Sequence, residues 1–177
     1  MRRYVWAGLA MVAVVVGVQA EDPKHEGKGD KNPGFEKLKK LAGEWVALDE
    51  KGNPTDKVVS VFKVTAAGSA VHETIFPGLG HEMVSVYHLD GKDVVMTHYC
   101  ALGNQPRMKL DPKSKENELK FDFAGGTNLD AAKDMHMHEG VIKIIDDDHI
   151  EATWSGYNGG KPAEDHKMTI KLVRKKK

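Results

Sequence analysis

The chain reads as all-β: one antiparallel up-and-down β-barrel of about eight to ten strands, preceded by a short helix. Three observations predict this. Turn chemistry recurs at short, regular intervals from residue 43 to the C-terminal end. Between the turns, apolar and polar residues alternate with the period of a strand. Met168, Ile170 and Leu172 alternate with Lys167, Thr169 and Lys171; Ile150, Ala152 and Trp154 alternate with Glu151, Thr153 and Ser155. Finally, the connections are short, so sequential strands must be neighbours. That favours a meander over a Greek key, and closing the meander removes exposed edges.

The elements follow in order. Residues 1–20 read as a signal peptide: Arg2 and Arg3 form a basic start, 5–18 is an uncharged apolar core, and Val18-Gln19-Ala20 is a small-residue cleavage site. The apolar run is too short for a membrane span. Residues 21–34, rich in Lys, Gly, Asp and Pro, read as a flexible leader to a single domain over 35–174. Phe35, Leu38 and Leu41 recur every three residues among lysines, which predicts a short amphipathic helix ended by Gly43. Strands are then expected at 44–49, 57–65, 69–76, 82–89, 93–101, 106–110, 118–123, 135–146, 149–157 and 165–173. Ala66-Ala67-Gly68, Pro77-Gly78-Leu79-Gly80, Asp90-Gly91, Gly103-Asn104, Asp111-Pro112, Asp146-Asp147-Asp148 and Asn158-Gly159-Gly160 supply turns between them. Residues 128–133 read as one helical turn. The alternation over 58–64 is less clean, because Val59 and Val61 stand where polar residues belong.

Composition bounds the function. The sequence has 26 basic and 26 acidic residues, and removing Arg2 and Arg3 with the signal leaves a slightly acidic chain. Nucleic acid needs a concentrated basic face, which this balance does not supply. Arg174-Lys175-Lys176-Lys177 reads as a solvated tail. Cys100 is the only cysteine, so no internal disulfide can form in an exported, periplasmic or extracellular, protein. Stability must then come from the core, or Cys100 must pair with another chain.

Gly43-Glu44-Trp45, reached from a short helix, resembles the G-x-W element that opens lipocalins and related calycin barrels. The resemblance implies a tryptophan at the closed end of a barrel, covered by a basic residue from the last strand, for which Arg174 is the matching position. Such a contact is a cation–π interaction. Over about residues 35–173 the chain also resembles an uncharacterised family of exported bacterial lipocalin-like proteins. The residues that carry this likeness are Leu41-Ala42-Gly43-Glu44-Trp45, Phe76-Pro77-Gly78, His81-Glu82-Met83, Val86-Tyr87-His88-Leu89-Asp90-Gly91, Thr97-His98-Tyr99-Cys100 and Gly103-Asn104-Gln105-Pro106-Arg107. That likeness implies a barrel and names no ligand. Nitrobindin-like haem barrels are more distant. They carry a longer glycine pattern after the tryptophan, where this chain has Val46-Ala47-Leu48, and the departure argues against haem.

The polar density at 94–108 marks a candidate site. Tyr87, His98, Tyr99, Arg107 and Trp154 are expected to line a cup, with Asn104 and Gln105 shaping its rim. Arg107 has the geometry to hold a carboxylate or phosphate. A second reading uses strand parity: His98 and Cys100 share one face, as do His136 and His138, and together they form a donor set suited to zinc or copper. Catalytic motifs are absent: there is no G-x-S-x-G elbow, no P-loop and no dinucleotide glycine fingerprint. Cys100 and His98 on one strand face are poorly oriented as nucleophile and base, and Glu73 and Glu82 carry no distinguishing context. The function expected first is therefore binding of a small, partly apolar ligand inside the barrel. A metal-binding protein or metal-dependent enzyme comes second, and a structural barrel with a filled core third.

Overall fold

The computed structural model describes residues 32–176, which form one short helix and ten strands. The segment read as a signal peptide and most of the leader lie outside the described residues. The helix α1 (Pro33–Lys40) takes in the last two residues of the expected leader, Pro33 and Gly34. Asn32 caps it, its side chain accepting from the backbone N–H of Gly34 at 2.8 Å and of Phe35 at 3.2 Å. Pro33 occupies the first turn, where its missing N–H costs nothing. Lys37, Lys39 and Lys40 sit in the last turn against the negative end of the helix dipole.

The strands are β1 (Gly43–Leu48), β2 (Pro54–Thr65), β3 (Ala70–Ile75), β4 (Met83–Asp90), β5 (Asp93–Tyr99), β6 (Gln105–Leu110), β7 (Glu118–Thr127), β8 (His136–Ile144), β9 (His149–Asn158) and β10 (Lys161–Arg174). Every sequential pair is antiparallel, and β1 pairs with both β2 and β10, closing the barrel. The expected fold class is the observed one. No helix among the described residues is long and apolar enough to cross a membrane.

Departures from the expected elements have local causes. In β2 the partners of Trp45 and Val46 are Ser60 and Val58, so Val59 is an extra, bulged residue and is buried. This explains the imperfect alternation there. In β10 the register against β9 jumps between Ala163 and Lys167, so the strand begins at Lys161 while 164–166 leave the ladder. β7 runs on to Thr127 because Gly126 and Thr127 continue the pairing, with Pro106 and Gln105 respectively, beyond a bulge that includes Gly125 at φ 113°. Residues 128–133 make a hydrogen-bonded turn and no helix. Asn128 is left-handed at φ 51°, and Asp130 caps Ala132 and pairs with Lys133.

A meander has two ends, and they differ. The end carrying the β4–β5 and β6–β7 hairpins is plugged. There α1 inserts Phe35, Leu38 and Leu41 into the core, Asn32 donates to the carbonyl of Lys92, and Lys37 bonds to the carbonyl of Glu116. Trp45 is fully buried beneath it and donates to the Leu41 carbonyl at 2.8 Å. The Arg174 guanidinium lies 4.4 Å over the Trp45 ring and also donates to the carbonyls of Ala42, Lys40 and Asp147. The middle of the barrel is filled by Val71, Val94, Met96, Met108, Leu119, Phe121 and Leu172.

Candidate functional site

Antiparallel register brings inward residues of neighbouring strands into rows. One row crosses four strands: Phe62 on β2, Glu73 on β3, Ser85 on β4 and His98 on β5 are successive partners. Three polar side chains thus stand side by side within the apolar barrel, and all three are buried. Tyr87, two residues from Ser85, shares its face. Ser60 on β2 completes the group.

These side chains satisfy one another almost completely. Ser60 donates to one Glu73 oxygen at 2.7 Å, and the Tyr87 hydroxyl donates to the other at 2.6 Å. Burial pushes the Glu73 carboxyl above its ordinary pKa, opposed by those two hydrogen bonds. Burial, followed by the nearby Glu73 charge and the hydrogen bond to it, drives the Tyr87 phenol well above its usual range. Ser85 Oγ lies 3.0 Å from His98 Nδ1. His98 is 1% exposed, and its burial lowers its pKa to about 4, so the ring is neutral at physiological pH.

His98 Nε2 is the exception. It is buried and has no partner among the described residues. His98 also lines a cavity of about 270 Å³ near the unplugged end, walled by Ile75, Phe76, Met83, Met137 and Trp154 and rimmed by residues 165–168. The rim is the segment where β10 departs from its ladder. The wall is shaped by two local features. Phe76 is left-handed at φ 55°, a strained conformation for an aromatic residue. Gly140 faces Trp154 so closely that a Cβ there would lie 2.9 Å from the indole ring. Trp154 thereby lies flat enough to approach His98, with ring centroids 5.3 Å apart.

The expected site residues divide. His98 and Trp154 line the cavity. Tyr87 points inward but lies deeper, its hydroxyl committed to Glu73. Asn104 is buried at the β5–β6 turn and donates to the Met135 carbonyl at 2.8 Å, leaving its Oδ1 without a partner among the described residues. Gln105 accepts from Thr127 and Asn128 and donates to the Gly103 carbonyl. Both thus tie the β5–β6 turn to the β7–β8 connection. Tyr99 is 50% exposed and Arg107 is exposed on the outer face opposite Thr97. Strand parity is the reason: an inward His98 turns Tyr99 outward, and inward Pro106 and Met108 turn Arg107 outward.

His136 and His138 meet elsewhere, where β7 and β8 part beyond the pair Asp122 and Glu139. A bulge lies between Met137 and Glu139, and Met137 lines the cavity while the histidines do not. His136 donates from Nδ1 to the Asp134 carbonyl at 2.8 Å, and its Nε2 lies 2.9 Å from His138 Nδ1. The His138 ring is stacked between Tyr157, 3.7 Å away, and Phe123, 4.7 Å away. Burial, then His136, lowers the His138 pKa. Cys100 sits half-buried at the β5–β6 turn. Among the described residues, no three His, Cys, Asp or Glu side chains converge in an arrangement able to hold a metal ion.

The inward row itself was within reach of the sequence. Val71, Glu73 and Ile75 alternate with His72 and Thr74, so a carboxylate stands on the apolar face of β3. Ile75, Phe76, Met83 and Met137 carried no signal separating cavity wall from filled core. No protein-family model matches this chain, and no curated protein matches it.

Proposed function

We propose that this chain is an exported lipocalin-like binding protein that takes one small, partly apolar molecule into the unplugged end of its barrel. The observation that carries this is His98: a buried side chain with one ring nitrogen unpartnered among the described residues, on the wall of a largely apolar cavity of about 270 Å³ whose rim carries Asp165, His166 and Lys167. Leaving such an atom unsatisfied costs about 1–3 kcal/mol. A molecule that hydrogen-bonds to it recovers that cost while burying apolar surface at about 25 cal/mol per Å². The cavity lies just under the usual span of about 300–1,000 Å³ for ligand pockets, which favours a compact molecule. The strained Phe76 on the wall is the kind of backbone feature that gathers at binding sites. Export is supported by the basic start, apolar core and small-residue cleavage site within residues 1–20.

Native mass spectrometry of the full chain, purified from its own host, tests the reading. The expected species is a mature chain beginning at Glu21 and carrying one retained organic molecule. That molecule should be lost in a Trp154→Ala, His98→Leu variant that remains folded by circular dichroism. A wild-type protein that is bare when isolated, and that takes up no compact aromatic alcohol when challenged, would overturn the binding reading.

A further inference from the structure

We infer that this cavity is a site for a soft monovalent metal ion, Cu(I) or Ag(I), held by the His98 imidazole and the thioether sulfurs of Met83, Met137 and Met168. All four side chains line the one cavity of about 270 Å³, and they come from four different strands. An ion and an organic molecule would meet at the same histidine, so the inference does not rest on the reading above and is tested apart from it.

Register gathers these donors. Ser85 is the β4 partner of His98, and Met83 lies two residues before Ser85 on the same face. Met168 is the β10 partner of Trp154. Met137 is the β8 partner of Gly156, two residues along β9 from Trp154. The Trp154 ring in turn lies 5.3 Å from the His98 ring, centroid to centroid, which links the two groups. Methionine is unbranched and has three rotatable bonds, so its sulfur swings readily to a common point inside so small a space. Packing alone does not ask for these methionines. Met96 and Met108, which fill the middle of the barrel, are fully buried, whereas Met83 and Met137 are half-buried and Met168 is 40% exposed. Leucine would cover the same wall with less side-chain entropy to lose.

The chemistry of the donors selects the ion. Thioethers are soft and uncharged, and with an imidazole they suit Cu(I) and its heavier analogue Ag(I). Hard cations ask for oxygen ligands, and Zn(II) asks for thiolates, several imidazoles or carboxylates. The one carboxylate on this cavity is Asp165, which sits on the rim, mostly exposed, 3.1 Å from His166 Nδ1. Lys167 adds a positive charge on the same rim, which disfavours a second charge on the ion. A single charge is further eased by the Trp154 indole, whose π face attracts cations. His98 offers the nitrogen: its Nε2 is buried and unpartnered among the described residues, while Nδ1 lies 3.0 Å from Ser85 Oγ. An ion on Nε2 leaves the imidazole proton on Nδ1, where the Ser85 hydroxyl accepts it and holds the ring in place. This set shares only His98 with the donors suggested by strand parity, since Cys100, His136 and His138 lie off the cavity wall.

The test adds silver nitrate, in chloride-free buffer, to the mature chain labelled with ¹³C at its methionine methyl groups. A Cys100→Ser background keeps the thiol from competing. One equivalent of Ag(I) should move the methyl signals of Met83, Met137 and Met168 and leave those of Met96 and Met108 in place. One equivalent of Zn(II) should move none of them. Met83→Leu and Met137→Leu keep the side-chain volume, so the fold is retained. Each should weaken Ag(I) binding about tenfold or more, as should His98→Leu. Met96→Leu should leave it unchanged. Ag(I) that moves only other signals, that binds no more tightly than Zn(II), or that is indifferent to the three cavity substitutions overturns the inference. A parallel titration with 2-naphthol separates it from the organic-ligand reading. Naphthol bound and Ag(I) refused overturns the ion and keeps the pocket; Ag(I) bound and naphthol refused leaves the ion standing and overturns the organic ligand.

Discussion

His98 and Glu73 stand two strands apart in the same buried row, and burial moves their titrations in opposite directions. The His98 imidazole resists protonation until about pH 4 because burial disfavours its charged form. In the unfolded chain it takes up a proton near its ordinary value of 6.5. Between those two values the unfolded state binds more protons, so the His98 contribution to stability is present at neutral pH and is lost as pH falls toward 4. The loss amounts to about 3 kcal/mol. Glu73 acts with the opposite sign. Its folded carboxyl holds a proton to higher pH than the unfolded one, so acidification favours the folded state there. The two contributions are separable by substitution. Between pH 7 and pH 4, urea unfolding of His98→Leu should show a stability loss smaller than that of the wild type by about 3 kcal/mol. Parallel losses in the two proteins would mean that His98 is not held neutral by burial.

The elements owe their shape to a few irregular positions. Bulges at Val59, before Lys167 and around His138 each turn a side chain to a face that strict alternation would deny it. Met137, beside the third of these, lines the cavity. Gly140 on β8 has a different role, since it leaves room for the indole of its β9 partner Trp154. An alanine there would gain strand propensity but press its Cβ against a rigid ring. Gly140→Ala is therefore expected to destabilise by about 1–3 kcal/mol in urea unfolding. It should also move the indole N–H resonance of Trp154 and leave that of Trp45 in place. A variant as stable as the wild type with an unmoved Trp154 signal would show that the indole has room to spare.

Closure of the barrel is the property on which every interior position depends, and its seam is short. β1 and β10 share only three register pairs, Trp45 with Arg174, Val46 with Val173 and Ala47 with Leu172. Arg174 reinforces the seam from outside by stacking on Trp45 and by bonding the carbonyls of Lys40, Ala42 and Asp147. It therefore joins the last strand, the end of the helix and the β8–β9 turn. Arg174→Ala should cost about 1–3 kcal/mol. Amide hydrogen exchange should rise in β1 and β10 and remain unchanged in β4 and β5, which pair through seven registers away from the seam. Uniform acceleration over all strands would mean that the seam does not open by itself.

Local patterns carried much of this architecture. Alternation in β9 and β10, the turn residues, and the Gly43-Glu44-Trp45 opening with Arg174 at the far end were enough to anticipate a closed meander with one plugged end. Parity within a single strand likewise separates His98 from Tyr99, and it follows from pleating alone. What residue order could not supply is register between strands. That Glu73, Ser85 and His98 are mutual neighbours depends on how three hairpins set their pairing. That His138 stacks with Phe123 and Tyr157 beside His136, apart from the row of His98, depends on where β7 and β8 separate. A shift of one residue in any of those pairings would leave the sequence pattern nearly as plausible and send a different set of side chains into the barrel, because side-chain facing has a period of two while each pairing is decided by contacts distant in the chain.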